Sequence, residues 1–111
     1  MISRVATLPE ASTALSKDLA GDLELWSPEN GAEIHGVMWF YTLQHALRMA
    51  FPDREPNLVI DCGSRGDLAI EALRVGLRNV ALRAPAEVTE KVTDIAAGCG
   101  GRVITTKPIF P

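Results

Sequence analysis

Apolar and polar positions along this chain fall into blocks whose period changes several times. Leu58-Val59-Ile60 is an unbroken apolar run ending in Asp61, the signature of a strand buried on both faces. Gly63-Ser64-Arg65-Gly66 interrupts it. From Asp67 to Val75 the apolar Leu68, Ala69, Ala72, Leu73 and Val75 recur at helical spacing, and Gly76 stops the helix. Val80-Ala81-Leu82 then begins a second apolar run. Strand, helix and strand within about 25 residues predict a right-handed β-α-β crossover with parallel strands.

The flanking segments extend this pattern. Val5 to Leu8 is β-prone and ends at Pro9, and Ser12 or Thr13 can cap a short helix running through Leu15 to Gly21. Leu23 and Leu25 alternate with Asp22 and Glu24, which predicts a half-buried strand near a sheet edge. Ser27–Gly31 is a turn, and Ala32 to Phe51 reads as one helix of about 30 Å. That helix carries two apolar stripes. Trp39, Phe40, Leu43, Ala46, Leu47 and Ala50 form one; Ile34, Val37, Met38 and Tyr41, continued through His45 to Met49, form the other. Pro85 opens a helix over Ala86–Ala97, and Val103–Thr106 is a last strand.

These elements predict a small α/β protein. It is a two-layer or three-layer sandwich around a mostly parallel sheet of four or five strands, flavodoxin-like or like half of a Rossmann fold. A ferredoxin-like α+β fold is the alternative, but it needs antiparallel hairpins, and no two-residue hairpin turn stands between the strands. With 111 residues the expectation is one domain over 1–111.

Composition narrows the function classes. A net charge of −3 argues against nucleic acid or an anionic membrane surface as partner. No apolar run reaches the ~20 residues of a membrane span, and the first 21 residues lack the apolar core of a secretion signal. Cys62 and Cys99 form neither a zinc spacing nor a disulfide framework. A cytoplasmic protein with free thiols, no metal and no cofactor is the expectation.

In a parallel sheet, ligands gather beyond the carboxyl ends of the strands. There the predicted strands place Ser27, Asp61, Cys62, Ser64, Arg65, Arg83, Thr105 and Lys107. Gly63, Ser64, Arg65 and Gly66 before a helix resemble loops that offer backbone amides to phosphate, with Arg83 adding charge, so a small anion is one candidate ligand. The plainer reading is a tight turn with Ser64 as N-cap and Asp67 as its reciprocal partner. The dinucleotide fingerprint is not matched, because Arg65 stands where it needs glycine. Asp61-x-Gly63 resembles the first motif of S-adenosylmethionine-dependent methyltransferases. That motif also needs glycine at Arg65, and the chain is short for that fold.

Cys62, His35 and Asp61 are the candidate catalytic residues. Cys62 lies near a helix N-terminus, which lowers a thiol pKa. His35 can couple to Asp61 as acid and base if their elements are neighbours. No catalytic motif emerges. The preferred expectation is self-association as a homodimer, or binding of a protein partner, with Trp39, Phe40 and Tyr41 at the interface. An enzyme or sensor binding phosphate or a nucleotide at Gly63–Gly66 is the alternative.

Overall fold

The computed structural model describes residues 2–18 and 21–106. Five strands, β1 (Ile2–Arg4), β2 (Glu24–Trp26), β3 (Asn57–Asp61), β4 (Asn79–Ala81) and β5 (Arg102–Ile104), form one sheet. Their order is β1-β2-β3-β4-β5, and every adjacent pair is parallel. The two apolar runs pair as predicted, with Ile60 opposite Val80. The connections contain α1 (Leu8–Lys17), α2 (Gly31–His35), α3 (Val37–Ala50), α4 (Gly66–Arg74) and α5 (Ala86–Cys99). No antiparallel pair occurs among the described strands, which removes the ferredoxin-like alternative. No described helix is long and apolar enough to cross a membrane.

Each new strand joins the same growing edge of the sheet, so crossovers of one hand leave all helices on one face. The core bears this out. Buried residues of α1 (Ala11, Leu15), α3 (Phe40, Leu43, Leu47), α4 (Ala69, Leu73) and α5 (Val92, Ala96) share one cluster with Leu25, Leu58, Ile60 and Val80. The intervening strand residues Trp26, Val59 and Ala81 form a separate small cluster with Ile2 and Ile104. The sandwich therefore has two layers. The strand order never reverses, so the sheet lacks the switch point at which doubly wound sheets bind ligands.

On the face without described helices, hydrogen-bonded polar side chains replace part of an apolar layer. Glu24 Oε2 accepts from Asn57 Nδ2 (3.0 Å) and Arg102 Nη2 (2.9 Å). Asn57 Oδ1 accepts from Asn79 Nδ2 (3.0 Å), and Asn79 Oδ1 accepts from Arg102 Nε (2.7 Å). The chain of bonds links β2 to β5, and Glu24 Oε1 also receives Trp26 Nε1 at 2.6 Å.

Three local expectations are corrected. The first strand is Ile2–Arg4 rather than Val5–Leu8. Thr7 is the N-cap of α1, and Glu10 reaches back to the Ala6 N–H at 3.1 Å. That reciprocal capping starts the helix at Leu8, ahead of Ser12 and Thr13. Second, β2 lies inside the sheet, with Leu25 and Trp26 both buried. Polar–apolar alternation suggested an edge because Glu24 is satisfied by neighbouring strands and not by water. Third, the single helix over 32–51 is two helices, broken at Gly36, where φ is +89° and ψ is 150°. Only glycine adopts that backbone region readily.

Candidate functional site

At the carboxyl ends of the central strands the chain closes on itself. Asp61 is buried at the end of β3, and its N–H donates to Ser27 Oγ at 2.8 Å. The Asp61 carboxylate accepts from the Gly63 N–H at 2.9 Å and from Arg83 Nη2 at 3.0 Å. The Arg83 N–H donates to the Gly63 carbonyl at 2.7 Å. Arg4, which sequence reasoning did not select, adds Nη1 to the Ser27 carbonyl at 2.9 Å. Gly63 has φ +59°, and a side chain there would run into the Asn30 amide oxygen. Ser27, Asp61, Gly63 and Arg83 meet at this rim, but they satisfy one another.

The glycine loop is neutralised in the same way. Arg65, not Ser64, occupies the N-cap of α4, and it provides no capping hydrogen bond; Ser64 is exposed. Asp67 does not cap Ser64 in return. Its carboxylate accepts Arg65 Nε at 2.9 Å and Nη2 at 2.8 Å, and Glu33 approaches Arg65 Nη1 at 3.4 Å. The hydrogen bond from Arg65 holds the Asp67 carboxyl below its ordinary pKa, and the same bond raises that of Arg65. Asp67 places negative charge at the first turn of α4, where an anion would sit. Three carboxylates (Glu33, Asp61, Asp67) thus engage the two guanidiniums (Arg65, Arg83) of the predicted anion reader. Thr105 is exposed, and Lys107 lies outside the described residues.

Helix α2 and strand β3 are neighbours, but no hydrogen bond joins His35 to Asp61, and Cys62 is silenced by burial. Cys62 is 1% exposed, and its thiol pKa is pushed up to about 12 by burial, then by the charges of Asp61 and Asp67. The His35 ring is exposed and stacks on Trp39 with centroids 5.7 Å apart, while the Asp61 carboxylate is taken by Arg83 and Gly63. No group of three metal-ligating residues exists among the described residues.

The second apolar stripe leads elsewhere. α3 turns Val37, Phe40, Leu43 and Leu47 into the core. Phe40 is fully buried and so unavailable to a partner, which corrects its place among the interface residues. Outside stand Ile34 (66% exposed), Met38 (51%), Trp39 (48%), Tyr41 (38%) and Met49 (72%). Trp39 is held in place by Nε1 donating to the Ala6 carbonyl at 2.7 Å. Beside it an apolar groove of about 630 Å³ runs between α3 and the start of α1, with Leu8, Met38 and Trp39 in its walls. No family model, curated protein or solved structure matches the chain.

Proposed function

We propose that this protein is a binding module that associates with a second copy of itself through the outer face of α2 and α3. One observation carries the reading. All six large hydrophobic residues exposed among the described ones (Leu8, Ile34, Met38, Trp39, Tyr41, Met49) lie on α2, on α3 or at the start of α1 that borders them. Scattered exposed hydrophobics need no explanation, but a gathered set is the mark of a contact surface. Methionine adapts its shape to a partner, and tryptophan and tyrosine are the common anchors of such contacts. Met38, Tyr41 and Met49 follow one line along a helix of 14 residues. A two-fold copy can lie antiparallel on that line and bury both stripes at once.

Sedimentation equilibrium tests the reading up to about 100 µM, a range that covers the weak end of specific association. Wild-type protein should sediment as a dimer. Met38→Glu, which adds charge to an exposed position, should sediment as a monomer with unchanged far-UV circular dichroism. A wild-type monomer over the whole range would overturn self-association.

A further inference from the structure

The opposite end of the sheet, where the strands begin, holds a second polar cluster, lined by none of the exposed hydrophobic residues of α2 and α3. Arg48 from α3, Arg78 just before β4 and Arg102 from β5 line a pocket of about 260 Å³, together with Gln44 and Glu55. Gln44 is 4% exposed and sits on the inner side of α3. Its amide has no hydrogen-bond partner among the described residues, yet it is not sealed away, so its small open part faces this pocket. Buried polar side chains are almost always partnered, and one left open to a cavity points to an occupant.

The charges around the amide select the occupant. Three guanidiniums line the pocket; Glu55 pairs with Arg48 and Glu24 with Arg102, so the positive charge of Arg78 is left over. The Arg78 side chain makes no ion pair or hydrogen bond among the described residues. Arg48 pairs with Glu55 at 3.1 Å, but both are exposed, and such a pair is weak enough to exchange. Arg102 is held by Asn79 and Glu24 through Nε and Nη2, which orients the guanidinium and leaves Nη1 uncommitted. A carboxylate presents two oxygens in a plane. Guanidiniums arriving from three elements suit a tetrahedral group with oxygens in several directions.

We propose that this pocket binds a small phosphate-bearing ligand, with Gln44 hydrogen-bonding to it and Arg78 supplying the uncompensated charge. The volume lies just below the range of about 300–1,000 Å³ typical of drug-sized ligands, so it suits a phosphate with a few carbon atoms.

The test is thermal unfolding of the full chain against inorganic phosphate, at ionic strength held constant with chloride. Phosphate should raise Tm in a saturable way. Arg78→Ala, which removes an exposed side chain without described contacts, should fold normally and bind phosphate about tenfold or more weakly. Gln44→Leu should keep the packing volume and also weaken the response. Phosphate acting no more than chloride, or acting equally on Arg78→Ala, overturns the proposal. Malonate matching phosphate would show that the pocket reads charge alone, which overturns the phosphate assignment.

Discussion

Arg83 Nη2 lies 3.0 Å from Oδ1 and 3.3 Å from Oδ2 of Asp61, and the Asp61 side chain is only 2% exposed. One guanidinium from the loop after β4 therefore compensates a carboxylate buried at the end of β3. Burying a charge is tolerable only with such a partner. Removing the partner alone should be costly. Arg83→Ala should lower unfolding free energy by about 3 kcal/mol, the low end for a broken buried pair, since Arg83 itself keeps contact with water. Urea denaturation gives the value. A loss under about 0.5 kcal/mol would mean that the pair behaves as a surface contact.

The break between α2 and α3 rests on the backbone of Gly36. A Cβ there would meet no atom within 4 Å, so any cost is conformational and not steric crowding from neighbours. Gly36→Ala should destabilise by about 1–3 kcal/mol, the usual strain of a non-glycine residue in that region. If the two helices can merge into one, the cost disappears and helical circular dichroism rises instead.

The two thiols should differ sharply toward a disulfide reagent at neutral pH. Cys99 is exposed and should react at once, whereas Cys62 should react only as the protein unfolds. The sign of the linkage follows from the raised pKa. Above about pH 9 the unfolded chain releases the Cys62 proton while the folded chain holds it to about 12, so stability falls across that interval. Cys62→Ala should flatten this alkaline decline. Two fast thiols in the native protein would contradict the buried position.

On the acid side Asp18 contributes, as does Asp67, because both carboxyl groups have lowered pKa values. The Asp18 carboxylate accepts the Leu23 N–H at 2.9 Å and Arg54 Nη2 at 2.7 Å, and the first of these bonds leads in lowering its pKa. A lowered folded-state pKa contributes stability that is present above the unfolded value of about 3.9 and is lost as pH falls through the folded one. Wild type should exceed Asp18→Asn in urea midpoint at pH 6, and the gap should close below about pH 3. A gap independent of pH would show that the charge is irrelevant.

Much of this architecture is legible in residue order, because it depends on local periodicity. Leu58–Ile60 and Val80–Leu82 read as strands hidden on both faces, and the helix between them pointed to the parallel pairing that the sheet has. The doubled stripe of α3 was equally visible, since Met38, Tyr41 and Met49 lie on the helix side opposite Leu43 and Leu47. Assigning Phe40 to the core and Met38 to the surface required knowing which side the sheet takes.

Electrostatic neutralisation was not legible, because it depends on partners far apart in the chain. Gly63–Gly66 resembles a phosphate loop until Asp67 and Glu33 are seen on Arg65, and Asp61 on Arg83. The second arginine cluster is invisible in the sequence for the same reason. Arg48, Arg78 and Arg102 share no local motif and meet only because α3 ends where β4 and β5 begin. Periodicity within a few turns, set by backbone geometry, was the sequence's to decide. Which charges cancel and which remain free was decided by tertiary packing, since Coulomb energy depends on distance in space and not along the chain.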